Sequence, residues 1–364
     1  MFTEQSEIIV KTSGDEVDYL KGIRQCMSDK DFKLLLVSEF SKYIKNTVAV
    51  NHMVDSGSHA YELSTILKMS NSVWFTSVLD YFCSAFRAAM LQHPEEMITI
   101  VEECYTKVHH SLANYHDAFF LQNHESVTQT RLKVRAYFRM LGDTLESVHF
   151  PHIQFMYQVL TKAPGSVLYG RKLIVSNGKA VSELLEINEF RLALEGSLKG
   201  VSLSQWRNIS HHSSYHYDPS RDIVICTYGN NNTVELTFNE LEVLMIEFDT
   251  IQALLKICVD FPLMDFLGSF EFDTSLELTV ETLLSQLGNV FALNGYTLIG
   301  IDKVLNNWTI NIEDTGMRGV KGFQSNGPMF FPYIGFLSEK GINVTLELFT
   351  LSGISIQKAM VQSR

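Results

Sequence analysis

Ser202-Leu203-Ser204-Gln205-Trp206-Arg207-Asn208-Ile209-Ser210-His211-His212 precedes, across Tyr217-Asp218-Pro219, two β-rich runs at Ile223 to Tyr228 and Thr233 to Leu236. Ser202 and Gln205 stand at capping-box spacing: the Ser hydroxyl accepts from the backbone at position 205 while the Gln side chain reaches back. The spacing predicts a short helix carrying Trp206, Arg207, Asn208, His211 and His212. Tyr217-Asp218-Pro219 reads as a turn, and Gly229-Asn230-Asn231-Asn232 between the two runs is a β-hairpin signal. Thr237 to Glu240 repeats the capping pattern. Leu241, Leu244, Met245, Phe248, Ile251, Leu254 and Leu255 then continue at helical spacing to about Cys258. Asp260-Phe261-Pro262 should end that helix, because proline has no N–H to give and its ring crowds the preceding turn.

Upstream, a long helical segment starts near Ser126 and carries Tyr137, Leu141, Leu145, Val148, Met156 and Val159, with Pro151 expected to kink or split it. A third helix carries Val181, Leu184, Leu185, Phe190, Leu192 and Leu194 and stops at Lys199-Gly200. Still earlier, from about Asp29 to Gln122, apolar residues recur at helical spacing, with breaks expected near Asp55-Ser56-Gly57-Ser58 and at His93-Pro94. From Ser269 onward the composition turns strand-rich, and Ile342, Val344, Leu346 and Leu348 alternate with Asn343, Thr345 and Glu347 as in a half-buried strand. The expected class is therefore mainly α: a helical N-terminal region at 1–125, a helical domain with a β-hairpin at 126–260 and a small α+β domain at 262–364.

The 364 residues exceed one ordinary core, and 46% apolar residues exclude a disordered chain. A formal charge of −12 argues against a broad basic surface for duplex nucleic acid, so any nucleic-acid contact must be local. Cys26, Cys83, Cys104, Cys226 and Cys258 contain no C-x-x-C pair and read as reduced core residues. Met1 to Val10 lacks the basic start and apolar run of a secretory signal, and stretches such as Phe82 to Leu91 are interrupted by Arg87. A cytoplasmic protein without a membrane role is expected.

Arg207-Asn208-Ile209-Ser210-His211-His212 gives R-N-x-x-x-H, and this pattern resembles the signature of the HEPN superfamily, an Arg followed four to six residues later by a His. The setting is similar too, since in many members the motif follows a pair of long helices and precedes a short β-hairpin and a closing helix. The resemblance covers roughly Ser126 to Val259, about a third of the chain. It implies a metal-independent endoribonuclease, of the kind used as a toxin or antiphage defence effector. It also implies a homodimer in which two copies of the motif form a composite site, and a product with a 2′,3′-cyclic phosphate. No cofactor is expected.

The residue types suit attack of an RNA 2′-hydroxyl on its own phosphorus. His212 can transfer the proton near neutral pH. Arg207 offers a permanently charged fork for the phosphate oxygens as their charge grows, and Asn208 can orient the imidazole or the phosphate. The motif favours His212, whereas on an ideal helix His211 at i+4 lies only about 40° around from Arg207 and His212 about 140°; the two histidines remain alternatives.

Arg131, Arg135 and Arg139 form a stripe at i, i+4, i+8 on the long helix, with Lys133 nearby, suited to tracking an RNA backbone. Asp143 and Glu146 on the same helix are similar to acids that some HEPN members place near the Arg–His pair, and are expected to orient Arg207. His212 and His216 have the i, i+4 spacing of two metal ligands, but a turn and the lack of a third donor set argue against zinc. His109 and His116 are two turns apart, too far to share an ion. Gly316-Met317-Arg318-Gly319-Val320-Lys321-Gly322 is a glycine-rich basic loop without P-loop spacing. The competing expectation is a HEPN-like scaffold that dimerises or binds RNA or a nucleotide without catalysis. The flanking regions are expected to sense a trigger, inhibit the nuclease or bind a regulatory partner.

Overall fold

The computed structural model describes residues 9–12, 14–122, 129–271 and 279–361, and for 112, 113, 115–122 and 361 the backbone alone. The chain is mainly α with a small mixed sheet near its C-terminus. It divides into two compact units, one built from 1–69 together with 277–364 and the other from 70–276. The expected boundaries at 125 and 261 do not coincide with this division. The first four helices find their core partners in the C-terminal segment, which no local signal encodes. No helix among the described residues is long and apolar enough to cross a membrane.

The first unit opens with α1 (Asp18–Gln25), α2 (Asp29–Tyr43), α3 (Thr47–Ser56) and α4 (Ala60–Lys68). Ser28 and Asn46 cap α2 and α3 by accepting backbone N–H groups, and Gly57, with φ of 67°, closes α3 where a side chain would be strained. The expected breaks at 55–58 and 93–94 are found.

The second unit is one run of chain: α5 (Val73–Gln92), α6 (Pro94–Gln122), α7 (Thr130–Thr144), a π turn (Leu145–His149), α8 (Phe150–Lys162), α9 (Asn177–Leu184), α10 (Asn188–Leu194) and α11 (Leu203–His211). Three strands, β1 (Tyr215–Asp218), β2 (Ile223–Tyr228) and β3 (Asn232–Thr237), and α12 (Phe238–Asp265) complete it. Phe82, Phe86 and Phe155 meet at ring separations of 6.3–6.4 Å in its core. Trp206 is fully buried, edge-on to Phe248, and its indole N–H donates to the Leu198 carbonyl at 3.1 Å.

Several local expectations change in this unit. The start expected at Ser126 lies outside the described residues. Ser202 makes no side-chain cap; its hydroxyl lies 3.2 Å from that of Ser204, and the turn closes through Trp206 N–H to the Ser202 carbonyl at 3.0 Å. The third helix is two, because the chain turns at Leu185–Ile187 between α9 and α10. Tyr215–Asp218 is a strand pairing antiparallel with Ile223–Cys226, so the turn expected at Tyr217-Asp218-Pro219 begins only at Pro219 and spans 219–222, and the hairpin is the second half of a three-stranded sheet. Stacking of Tyr215 on Phe138, with centroids 4.0 Å apart, holds that strand against α7.

Proline behaves differently at its two positions. Pro262 does not end α12, which runs on to Asp265. Burial of Phe261, Pro262 and Leu263, and an ion pair from Arg87 to Asp265 at 2.8 Å, outweigh the lost backbone bond. Pro151 sits just beyond the π turn, where Phe150 N–H reaches back to the Leu145 carbonyl. The Ser147 carbonyl, which Pro151 cannot serve, accepts instead from Asn114 Nδ2 on α6 at 3.3 Å.

Returning to the first unit, α13 (Val280–Leu293), β4 (Thr297–Val304), β5 (Asn307–Glu313), α14 (Gly319–Glu339), β6 (Asn343–Phe349) and β7 (Ser355–Val361) form a two-layer arrangement. The sheet order is β4-β5-β6-β7, with the parallel pair β5–β6 joined through α14. Val344, Leu346 and Leu348 alternate inward, as the sequence indicates, and Phe291, Phe323 and Phe330 cluster between the two helices.

Candidate functional site

Helix α11 buries Leu203, Trp206, Ile209 and Ser210, and this fixes which of its residues face outward. Arg207, Asn208 and His211 lie on the part-exposed side. Helix α7 crosses α11 closely at Gly142, where an added Cβ would stand 3.2 Å from Ser210 Cβ and 3.7 Å from the His211 ring. That approach brings Glu146, one helical turn further on and inside the π turn, level with the motif.

Arg207 Nε donates to Glu146 Oε2 at 2.9 Å, and Arg207 Nη1 reaches Asn208 Oδ1 at 3.4 Å. His211 Nε2 stands 4.0 Å from the same Glu146 oxygen. One carboxylate oxygen thus faces both the guanidinium and the imidazole, each side chain about one-third exposed. The group combines a fixed positive charge, a fixed negative charge and a proton carrier on a solvent-facing surface.

His212 is placed differently. It is the C-cap of α11, with φ of −89° and ψ of 3°, and its ring is exposed. No side-chain hydrogen bond or ion pair joins it to Arg207, Asn208 or Glu146. Asp143 is exposed, and of the two acids only Glu146 reaches Arg207.

Arg131, Arg135 and Arg139 are all exposed on α7, and none has an acidic partner within ion-pair distance among the described residues. Arg135 lies close enough to Tyr215 to act on its hydroxyl electrostatically. Strand β1 runs beside this face, with the Tyr217 hydroxyl in reach of Thr130.

No family model, curated protein or solved structure matches the chain.

The other candidates do not assemble. His212 and His216 are both exposed, and no group of three or more His, Cys, Asp or Glu residues among those described could hold a metal ion. His116 lies among the residues whose side chains are not described, so its pairing with His109 has no counterpart here. In the glycine-rich loop, the two amides best placed for an anion are already taken. The buried Asp314 carboxylate accepts from Arg318 N–H at 2.8 Å and from Gly319 N–H at 2.6 Å, capping α14 from within.

The sequence reading did not anticipate the π turn or what lies behind it. His149 is fully buried with neither ring nitrogen partnered, 6.2 Å from the Phe248 ring. His152 is buried one turn on, its Nδ1–H donating to the Val148 carbonyl at 2.8 Å. Burial pushes His149 down to about 3 and His152 to about 4, so both rings are neutral and structural. The available signal was His149 and His152 standing three apart around Pro151 in an otherwise apolar segment.

Proposed function

We propose that the chain is a metal-independent endoribonuclease of the HEPN type, acting in the cytoplasm as a homodimer and serving as a toxin or antiphage effector. The observation that carries this reading is the convergence of Arg207, Asn208 and His211 with Glu146 on one exposed face. The R-N-x-x-x-H spacing and its setting between long helices and a short antiparallel sheet support it.

In the reaction, a base takes the proton of the RNA 2′-hydroxyl, the 2′-oxygen bonds to phosphorus, and the 5′-oxygen leaves with a proton from an acid. The product is a 2′,3′-cyclic phosphate. Arg207 holds the non-bridging oxygens as their charge grows, and its fork gives two donors where Lys would give a point charge. Glu146 positions the guanidinium and, 4.0 Å away, the His211 ring. An imidazole supplies the proton transfer. His211 is the nearer histidine to the group, while His212, exposed at the helix end, is free to face a second copy. A composite site from two copies supplies the base and the acid as separate imidazoles.

One feature favours a non-catalytic scaffold instead: Glu146 neutralises the cation that a phosphate would need. A gel assay on mixed cellular RNA in excess EDTA separates the readings, comparing wild type with Arg207→Ala, His211→Ala and His212→Ala. Cleavage by wild type, cyclic phosphate ends and loss in Arg207→Ala support the nuclease. An inert wild type that still binds RNA supports the scaffold.

A further inference from the structure

The arginine stripe on α7 leads directly to the Arg207 group. Along an α-helix each step of four residues advances about 6 Å, so Arg131, Arg135 and Arg139 are evenly spaced, and Glu146 follows about 10 Å beyond Arg139. Like charges at i, i+4 repel, and Arg131 and Arg135 have no acidic side chain one turn away on α7, while Arg139 has the exposed Asp143 at i+4 without an ion pair between them. This occurs in a protein with a formal charge of −12, in which acids are plentiful. Beside the stripe, β1 places the half-buried Tyr215, one ring face stacked on Phe138, near Arg135, and the half-buried Tyr217, whose hydroxyl donates to Asp222 at 2.5 Å, near Thr130. A row of evenly spaced cations along one helix suits a single strand, whose phosphates follow the charges. A duplex would need a wider basic surface than one helix face supplies.

We propose that α7 is a ruler for a single-stranded substrate, with Arg139, Arg135 and Arg131 holding three successive phosphates on one side of the phosphate cleaved beside Arg207. The proposal rests on the ribonuclease reading for the identity of the cleaved phosphate, and adds the length and sidedness of the substrate.

The test uses full-length protein and oligodeoxynucleotides carrying a single ribonucleotide, so that one bond alone has a neighbouring 2′-hydroxyl. Zero to six nucleotides are placed on each side in turn. The ruler requires kcat/KM to climb with the first three nucleotides on one side, then level off, with little change on the other side. Arg131→Gln is expected to level off after two. A continued climb beyond three, equal dependence on both sides, or an Arg131→Gln profile identical to wild type overturns it. Fluorescence anisotropy on the same oligonucleotides, as a function of salt, provides the second readout. Each Arg→Gln change should lower the salt slope of binding by about 0.7, the single-strand value for one phosphate contact. If no chimera is cleaved, the ribonuclease reading fails. The anisotropy series then decides the row of phosphate contacts by itself, since an unaltered slope in any one of the single Arg→Gln variants rejects three contacts and reduced slopes in all three support them.

Discussion

Arg207 and Glu146, separated by 61 residues in the chain, meet through one hydrogen-bonded ion pair at 2.9 Å. Exposed pairs of this kind stabilise a fold by about 1 kcal/mol or less. Glu146→Gln is therefore expected to leave the urea midpoint nearly unchanged while lowering kcat on RNA by about tenfold or more, equivalent to about 1.4 kcal/mol of transition-state stabilisation. Equal loss of stability and activity would assign Glu146 to the fold rather than to Arg207.

Gly142 permits the approach of α7 to α11. Its absent Cβ would lie 3.2 Å from Ser210 Cβ, so even Ala requires a small shift and Val a larger one. Gly142→Val should destabilise by about 1–3 kcal/mol, as overpacking does. It should also reduce cleavage further than Glu146→Gln, because Arg207 and His211 move together. Unchanged thermal stability in that variant would mean that the helices are not in close contact.

The buried histidines set a pH dependence. Burial lowers His149 from 6.5 to about 3 and His152 to about 4, so between those values and 6.5 the unfolded chain binds protons that the folded chain refuses. Stability is then complete above about pH 6.5 and declines as pH falls below it, by about 1.4 kcal/mol per pH unit for each ring. Burial raises Asp249 to about 6, which acts in the opposite sense, weakening the fold as pH rises from 3.8 toward 6. Comparing wild type with His149→Leu isolates one ring: the loss of urea midpoint between pH 7 and pH 5 should be smaller in the variant. Parallel pH profiles would show that His149 gains a proton in the fold.

At the start of α12, Thr237 Oγ1 accepts from Glu240 N–H at 3.2 Å while Glu240 Oε2 accepts from Thr237 N–H at 2.9 Å. Thr237→Ala removes half of this box and should cost about 1 kcal/mol by chemical denaturation. A change within error would mean that water replaces the hydroxyl fully.

Features governed by neighbours in sequence were legible before the structure: the Thr237 box, the pairing of Ile223–Tyr228 with the following strand, the breaks at Gly57 and at His93-Pro94, and the short helix bearing Arg207 and His211. What escaped depends on distant contacts. Ser202 had a competing hydroxyl in Ser204, Pro262 was tolerated because its surroundings are buried, and β1 exists because Tyr215 stacks on Phe138. The π turn relies on Asn114 from another helix to serve the Ser147 carbonyl. Asp143 and Glu146 looked equivalent in the sequence, and only the crossing at Gly142 distinguishes them.

The discontinuity of the first unit imposes an order on synthesis. Residues 1–69 leave the ribosome with their partners in 277–364 still unmade, and the intervening segment, 70–276, is 207 residues long. At about 5–20 residues per second, the early helices wait about 10–40 s. During that interval the apolar faces of α1 to α4 stand uncovered, while the segment bearing Arg207 is contiguous and can complete itself on the ribosome. A nascent chain released before residue 277 would carry the arginine–histidine face without the C-terminal half of the unit that flanks it in sequence.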